Sequence, residues 1–479
     1  SLPTIRAVVF APSLGAKGTG NLVFTGSVPD LETLGSIARM GFKSPQTIDK
    51  LIRTWHHGRY RATQSTRARE TLTELIPRLL QTIASTPYPD EAFISFDSFL
   101  KGLPAGIQLF SMLQAQPHIL DLIAEIIGVA PRLARHMSKH PSVLESVLSV
   151  DFFSGLPNQA AMYDELNTTL EHAGHFEAKL DASRRWAHAR KFQLGVLSLK
   201  HTLQENEASK GLCDIAETVL QCLYPVVAKN FAKKYGTISN SDMAVIALGK
   251  LGSREMHANS DLDLVFIYNT PPSLEYSKHK KALPPMQYYA RLCLRLVNAI
   301  ISPTAEGSIY DVDMRLRPSG NVGPVATSIE AFRDYYSNRA WVWEHMALTK
   351  ARVVYATSNK FARSVSTEIT AVLTQPREPH KLLRDVADMR RRSAREKSTK
   401  NLWSLKQLRG GSVDIEFIVQ YLVLRHAAEH PEILAGSTLE TLGQLIRAGV
   451  LNSHVGSRLS VALTQWHRLQ GFLSLTVED

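Results

Sequence analysis

Two stretches near the middle of the chain have the residue patterns of β-strands. The first is a continuous apolar run, and the second alternates acidic and apolar residues. Residues Ala244–Leu248 form an apolar run that ends in a Gly-Lys-Leu-Gly-Ser turn at 249–253. Residues Asp261–Leu264 then alternate acid and leucine, and an apolar run continues the same segment into a core. Because successive side chains of a strand point to opposite faces, the carboxylates of Asp261 and Asp263 are expected to face the same way.

A third stretch, Ile309–Pro318, shows the same alternation. We predict a strand whose apolar face carries Val312, Met314 and Leu316. The opposite face would carry Asp311, Asp313, Arg315 and Arg317. Beside the first acidic strand, this segment would supply a third carboxylate and two guanidinium groups. Asp313 is the expected third acid, and Asp311 is the alternative.

Elsewhere the apolar residues recur at helical spacing. Helices are expected at Thr71–Ile83, at Ile107–Ile127 with a break at Pro117, across 165–235, and at Met286–Ile300. Residues 269–285 form a polar loop, and the strand patterns stop after Tyr355. Pro376 and Pro379 mark a linker, and helical patterns resume from Lys381 onward.

These patterns predict an α+β fold that is predominantly helical, with a small mixed sheet flanked by helical regions. We expect an N-terminal helical and linker region at 1–164, a domain that contains the sheet at 165–375, and a C-terminal helical domain at 376–479. A chain of 479 residues with 44% hydrophobic residues is long and apolar enough to form about three cores.

The acidic strands indicate metal and phosphate chemistry. Two carboxylates about 4 Å apart repel by roughly 4 kcal/mol at an effective dielectric near 20, so a divalent cation between them is favoured. Three acids can hold one or two Mg²⁺ ions, and arginines bind phosphate oxygens through paired hydrogen bonds. The alternatives are that the Asp-x-Asp pair is surface decoration that arose by chance, and that Arg315 and Arg317 form ordinary salt bridges at a strand edge.

The turn and the Asp-x-Asp pair together resemble the nucleotidyltransferase superfamily that includes DNA polymerase beta. Four longer strings are similar to glutamine synthetase adenylyltransferases: GKLGSREMHANSDLDLVFIY, EGSIYDVDMRLRPSGNVGPVATSIEAFRDYY, WVWEHMALTKARVVY and GGSVDIEFIVQYLVLRHA. Members of this family attach AMP to a tyrosine of glutamine synthetase and remove it again, in two similar halves of one polypeptide. The WVWEH and RPSGNVG segments resemble the second, adenylylating half, and residues 21–26 resemble the stretch that joins the halves. The chain is therefore expected to be a C-terminal piece.

The resemblance implies a polymerase-beta-like catalytic domain that transfers AMP from ATP with Mg²⁺. The implied metal ligands are Asp261, Asp263 and Asp313. The implied nucleotide-binding residues are Lys250, Gly252, Ser253, Arg315 and Arg317. Ser253 departs from the family, which usually has a second glycine there, although a hydroxyl at this place suits a phosphate oxygen in the broader superfamily.

The resemblance also implies roles outside the acidic strands. Lys350 and Arg352 lie in a family string and are candidates to contact the nucleotide or the acceptor. Asp414 and Glu416 lie in a helical Gly-Gly-x-x-Asp-x-Glu string, and they are not expected to form a second catalytic centre, because helical positions two apart do not face each other. A role in docking or in packing against the active site is expected instead. The implied partner is glutamine synthetase, with a PII-type signal protein and glutamine as regulators. The alternative activity is that of the adenylyl-removing half.

The cysteines and the absence of targeting signals predict a cytoplasmic protein. Cys213, Cys222 and Cys293 form no Cys-x-x-C pair, which indicates buried thiols in a reducing compartment. No stretch approaches the roughly 20 apolar residues of a membrane span, and no signal peptide is visible. We therefore expect no membrane partner.

A net charge of +11 supports a second hypothesis, a nucleotidyltransferase that acts on nucleic acid. Basic residues cluster at Arg53–Arg69 and at Arg390–Lys406, and such clusters can bind phosphates. Neither cluster has interleaved aromatic residues or a base-reading motif. An acidic protein partner explains the charge equally well, so nucleic acid is the lesser alternative.

Overall fold

A computed structural model describes most of the chain, namely residues 22–24, 29–147, 149, 151–200, 202–273, 276–396, 406 and 408–476. The chain forms two compact units, Ser1–Leu148 with Leu475–Asp479, and Ser149–Ser474. Half of the predicted joining stretch at 21–26 and the middle of the basic cluster at 390–406 lie outside the described residues. The predicted domain boundaries at 164 and 375 stay predictions.

The described part of the first unit is helical. Its helices are α1 Leu31–Arg39, α2 Pro45–His56, α3 Thr66–Ala84, α4 Pro89–Gly102, α5 Ile107–Ala115, α6 Pro117–Val129, α7 Pro131–Lys139 and α8 Val143–Ser146, with a 3-10 turn at Arg61–Thr63. The helices expected around residues 71–83 and 107–127 are confirmed. The predicted break is also confirmed, because Pro117 takes the first position of α6, where its missing N–H costs no hydrogen bond.

The second unit contains the sheet and the remaining helices. Its helices are α9 Gln159–His172, α10 Phe176–Leu199, α11 Glu205–Tyr235, α12 Gly249–Gly252, α13 Pro285–Ile301, α14 Ile329–Asn338, α15 Val342–Leu348, α16 Asn359–Leu373, α17 Pro379–Glu396, α18 Ser412–His426, α19 Thr438–Arg447 and α20 Ser453–Thr476. Two 3-10 turns lie at Gly320–Val322 and Pro431–Ile433. The strands are β1 Asp242–Ala247, β2 Leu262–Asn269, β3 Val312–Asp313, β4 Ala326–Ser328 and β5 Arg352–Ala356.

The five strands form one mixed sheet in the order β3-β2-β1-β5, with β4 also beside β2. Strand β1 runs antiparallel to β2 and β5, whereas β3 and β4 run parallel to β2. Along β2, Leu264 and Phe266 pack into a core with α9, α10, α11 and α13. Val265 and Ile267 pack on the other face with α14 to α18. The α+β class with a predominantly helical chain is confirmed, and the polymerase-beta-like topology stays a prediction.

The third acidic segment is a shorter strand than the alternation predicts. Strand β3 ends at Asp313, and the chain then turns, since the Arg317 N–H donates to the Met314 carbonyl at 3.3 Å. Met314 packs against the core beneath one face of the sheet, whereas Leu316 packs against the core of the other face. The prediction of one continuous strand through Arg317 is therefore wrong.

Helix α11 runs through the core of the second unit. Among the described residues it is the one helix whose length and composition would allow it to cross a membrane, so the expectation that no stretch comes close to a span is wrong. In its most apolar window, 72% of the residues are buried inside the structure. Cys213 and Cys222 of this helix, and Cys293 of α13, are buried free thiols, as predicted.

Candidate active site

The structure brings three of the predicted acids together at one edge of the sheet. One carboxylate oxygen from each of Asp261, Asp263 and Asp313 lies within 4.8 Å of the others. Asp263 and Asp313 are directly paired in the parallel register of β2 and β3, and Asp261 lies just before β2. We call these three residues the acid cluster. Among the described residues, the alternative acid Asp311 is not part of it.

The acid cluster concentrates negative charge in a partly buried place. Burial, together with the charges of Asp261 and Asp313, raises the pKa of Asp263 to about 6. Asp313 differs because hydrogen bonds from Arg315 lower its pKa. The Arg315 side chain donates to one Asp313 oxygen at 2.7 Å and 2.5 Å, and its backbone N–H donates to the other at 2.8 Å. Three oxygen donors at this separation suit a hard divalent cation, which would remove the repulsion.

The raised pKa of Asp263 gives a testable pH dependence. The folded, metal-free protein holds a proton at this carboxyl more tightly than the unfolded chain does, so its free energy of unfolding should decrease as the pH rises from about 4 to about 6. The contribution is about 3 kcal/mol. The lowered pKa of Asp313 acts in the opposite direction, but that group titrates at lower pH. Urea denaturation in EDTA across this range measures the effect.

The matched control for this titration is Asp263→Asn, which cannot ionise at that position. Subtracting its unfolding free energies from those of the wild type removes the contributions of the titrating groups that do not interact with Asp263. If the two proteins show the same pH dependence between about 4 and 6, Asp263 does not carry the raised pKa.

The glycine turn lies directly against the acid cluster. Gly249 has a φ of +53°, and a Cβ atom there would lie 1.9 Å from a carboxylate oxygen of Asp263. A Cβ on Gly252 would lie 2.0 Å from the carbonyl oxygen of Lys350. Sequence reasoning assigned the close approach to Gly252 and did not identify Gly249. The signal for Gly249 was its place between the apolar run and the turn, where a left-handed backbone conformation requires glycine.

Ser253 and Lys250 take different places in the turn. Ser253 is fully buried, and its hydroxyl donates to the Gly249 carbonyl at 3.0 Å, so this hydroxyl stabilises the turn itself. Lys250 is partly buried. Burial lowers the pKa of Lys250 to about 8, and the nearby charge of Lys406 adds to the effect while Glu416 opposes it. A lysine ammonium with a lowered pKa can hold or release a proton near neutral pH.

The two predicted arginines are not equivalent. Arg315 is 74% exposed and its guanidinium group pairs with Asp313, which is the salt bridge that the sequence left open as an alternative. Arg317 is buried, and its guanidinium group donates to the carbonyl oxygens of Met314 at 2.7 Å and Gly323 at 3.3 Å. Arg315 is thus available to solvent, whereas Arg317 fixes the backbone that follows β3.

The buried carboxylate of Glu217, on α11, stabilises the turn at 249–253 through Arg352. Glu217 accepts a hydrogen bond from Arg352 at 2.5 Å. The Arg352 side chain also donates to the carbonyl oxygens of Leu251 at 2.9 Å and Gly252 at 3.2 Å. Arg352 was a candidate to contact the nucleotide or the acceptor, and in the structure it holds the turn instead. Glu217 was not identified from the sequence, because nothing in the local pattern of α11 distinguishes it.

A second group of ion pairs, centred on Lys350, connects helix α18 to the site. Lys350 lies 2.8 Å from Glu416 on α18 and 3.7 Å from Glu255. Burial opposes the charge of Lys350, but the carboxylates of Glu416 and Glu255 outweigh it and raise the pKa of Lys350. Glu255 also accepts hydrogen bonds from the backbone and hydroxyl of Thr438. Asp414 turns away and binds Arg390 at 2.5 Å, so Glu416 is the member of the pair that packs against the site.

Comparison with known proteins identifies the family. The sequence profile described as glutamate-ammonia ligase adenylyltransferase matches residues 120–367, just over half of the chain and the part that holds the acid cluster. The chain is 45% identical over 414 residues to a bifunctional glutamine synthetase adenylyltransferase/adenylyl-removing enzyme of Brucella melitensis, covering 86% of this chain and 42% of that protein. It is 40% identical over 465 residues to the protein of the same name from Rhizobium meliloti, covering 96% and 47%.

The chain spans less than half the length of these relatives. The profile match and the two alignments agree with the resemblance seen in the sequence strings around the turn and the acid cluster. This chain belongs to the glutamine synthetase adenylyltransferase family.

Proposed function

We propose that this chain transfers AMP from ATP to a tyrosine hydroxyl of glutamine synthetase in a Mg²⁺-dependent reaction that regulates nitrogen assimilation. The single observation that carries the proposal is the acid cluster, whose three carboxylate oxygens lie within 4.8 Å of one another beside a glycine turn. The names of the relatives supply the acceptor, because both name glutamine synthetase.

The proposed reaction gives the acid cluster and the glycine turn different roles. Asp261, Asp263 and Asp313 would hold Mg²⁺, which supplies Lewis-acid stabilisation of the phosphoryl oxygens and alignment of the attacking hydroxyl. The turn at Gly252 and Ser253 fixes the backbone next to the acid cluster, where the triphosphate has to lie. No covalent intermediate on the protein is required.

Three basic residues balance the charge that develops as pyrophosphate leaves. Arg315 is exposed and can reach the leaving group, and Lys250 is held at the turn. Arg317 acts from a fixed position, since backbone carbonyls occupy its guanidinium group. Preorganised charge of this kind stabilises a transition state without reorganisation at the moment of reaction.

The adenylyl-removing activity is the alternative, because the names of the relatives contain both activities. The RPSGNVG and WVWEH strings resemble the transferase half and favour AMP transfer. Removal would instead depend on inorganic phosphate and release ADP from modified synthetase. A PII-type protein and glutamine are the proposed regulators. A reducing cytoplasm as the location is supported by the three buried free thiols.

Incubation with ATP labelled at the α-phosphate, Mg²⁺ and glutamine synthetase tests the proposal. We expect the label to enter glutamine synthetase, and to be lost when its acceptor tyrosine is replaced by phenylalanine. The variant Asp261→Asn/Asp263→Asn is the control that should leave the acceptor unlabelled. Labelling by that variant would remove the metal site from the mechanism, and extension of RNA in place of labelled synthetase would favour the nucleic-acid alternative.

A further inference from the structure

Asp261 is the member of the acid cluster that lies before its strand. Asp263 and Asp313 are paired within the sheet, in the register of β2 and β3. The N–H of Leu262 donates to the Asp311 carbonyl at 2.9 Å, and this bond fixes the chain directly after Asp261. The place of the Asp261 carboxylate therefore also depends on what fixes the chain directly before it.

A hydrogen-bonded turn precedes Asp261. The backbone N–H of His257 donates to the Ser260 hydroxyl at 2.9 Å, and the backbone N–H of Ser260 donates to the His257 carbonyl at 3.0 Å. These reciprocal bonds close a four-residue turn whose two central residues are exposed. Because Ser260 is followed directly by Asp261, the residue that anchors this turn also determines where Asp261 lies.

The side chain of His257 anchors the turn to helix α20. It is 7% exposed, and its Nε2 lies 3.1 Å from the amide oxygen of Gln470. The amide nitrogen of Gln470 donates to the Ser412 hydroxyl at 3.0 Å, so its oxygen faces the imidazole and His257 donates from Nε2. Ser412 is the first residue of α18. One glutamine thus connects the turn before Asp261 to two C-terminal helices.

The face of α20 that reaches His257 packs closely against the start of α11. His467, Gln470 and Gly471 have the helical spacing of a single face, and the rings of His467 and His257 are 6.2 Å apart. A Cβ atom on Gly471 would lie 2.1 Å from a carboxylate oxygen of Glu205, and the same oxygen lies 3.8 Å from Nδ1 of His257. Glycine is unfavourable inside a helix, but this close approach requires it. The imidazole ring is therefore held between α11 and α20.

We propose that His257 is a positioning residue, which connects Asp261 to helix α20 and so sets the place from which Asp261 binds Mg²⁺. This inference rests on the proposed function, since Asp261 is a Mg²⁺ ligand there. The ring of His257 is buried and its nitrogens face Gln470 and Glu205, so it acts through Asp261 and not by contact with a substrate. Residues that orient a metal ligand typically contribute about 10- to 100-fold in metal affinity or activity.

The variants His257→Leu and His257→Gln test this role, with Mn²⁺ as the metal and paramagnetic resonance as the measure of binding. Leucine fills the buried place but donates no hydrogen bond. We expect its Mn²⁺ affinity and its kcat to fall at least about tenfold. The KM for glutamine synthetase should change less than about twofold, because His257 does not contact the acceptor. Glutamine keeps a donor near the position of Nε2 and should restore most of both losses.

A variant at the other end of the hydrogen bond shows whether the two side chains act together. Gln470→Met removes the acceptor and should also weaken Mn²⁺ binding. The double variant His257→Leu/Gln470→Met should bind Mn²⁺ no more weakly than His257→Leu, because residues that act through one contact are not additive. The matched control is Tyr289→Phe, which removes the buried hydrogen bond to Ser241 at 2.7 Å and should leave the Mn²⁺ affinity unchanged.

Wild-type Mn²⁺ affinity in His257→Leu overturns the positioning role, and so does an equal loss of affinity in Tyr289→Phe. Additive losses in the double variant contradict it too. If His257→Leu does not fold, Gln470→Met decides alone, since wild-type Mn²⁺ affinity in that variant is equally contrary to the proposal. A wild-type chain that binds Mn²⁺ but transfers no AMP overturns the proposed function instead, and the Mn²⁺ affinities of the variants still decide the role of His257.

Discussion

Replacing Asp263 by asparagine is expected to abolish AMP transfer while raising the thermal stability of the metal-free protein. The pKa of Asp263 is raised to about 6 by burial and by two neighbouring carboxylates, so its ionised form destabilises the folded chain at pH 7. The asparagine side chain has nearly the same shape as the aspartate side chain but carries no charge. The substitution would also remove one of the three proposed Mg²⁺ ligands, and loss of several kcal/mol of transition-state stabilisation would lower kcat by about 10³-fold or more.

Two measurements separate these effects. Calorimetry in EDTA at pH 7 should give a higher Tm for Asp263→Asn than for the wild type, and Mg²⁺ should raise the Tm of the wild type alone. The matched control is Asp311→Asn, an exposed acid two residues before Asp313 that lies outside the acid cluster. It should keep kcat within a few-fold. Equal losses of kcat in both variants would contradict the assignment of the acid cluster, because Asp311 would then act in the reaction as well.

Replacing Lys350 by methionine is expected to lower the free energy of unfolding by about 3–5 kcal/mol. Lys350 neutralises Glu416 at 2.8 Å and Glu255 at 3.7 Å, and all three side chains are largely buried. Without the ammonium group, two carboxylates remain in a place of low dielectric, and only the weaker attraction of Lys406 and Lys250 still acts on Glu416. Urea denaturation at pH 7 should show the loss as a lower midpoint with an unchanged slope.

A second variant identifies the cause of that loss. Lys350→Met combined with Glu416→Gln removes one of the stranded charges and should recover part of the stability, because the single changes are coupled through contact. Lys360→Met, at an exposed lysine on α16, is the matched control and should change the stability by no more than about 0.5 kcal/mol. A wild-type midpoint for Lys350→Met would show that the ion pairs contribute no stability.

The alternation of residues along the sequence was sufficient to predict β2 and the common orientation of Asp261 and Asp263. The reason is that successive side chains of a strand point to opposite faces, so residues two apart share a face, and this spacing can be read from the sequence. The same rule failed after Asp313. There Arg317 bonds two backbone carbonyls and turns the chain, and an alternating pattern carries no information about a side chain that binds the backbone of its own loop.

The supporting residues of the site were harder to predict because they come from distant positions. Glu217 and Arg352 meet across 135 positions, and Lys350 and Glu416 across 66. Local spacing cannot reveal such partners. Ser253 was predicted in the right turn, yet its hydroxyl faces the Gly249 carbonyl, since orientation within a tight turn depends on backbone angles that residue types only partly determine.

The hydrogen bonds between Glu255 and Thr438 have a consequence for folding. They connect residues 183 positions apart, and Lys350 ties the same carboxylate to α18. Long-range contacts of this kind form late, after the entropy of closing a large loop has been overcome. We therefore expect the turn at 249–253 and the terminal helices to unfold together, and a chain that ended before α17 would leave the Glu255 carboxylate without Thr438 and Glu416 beside it.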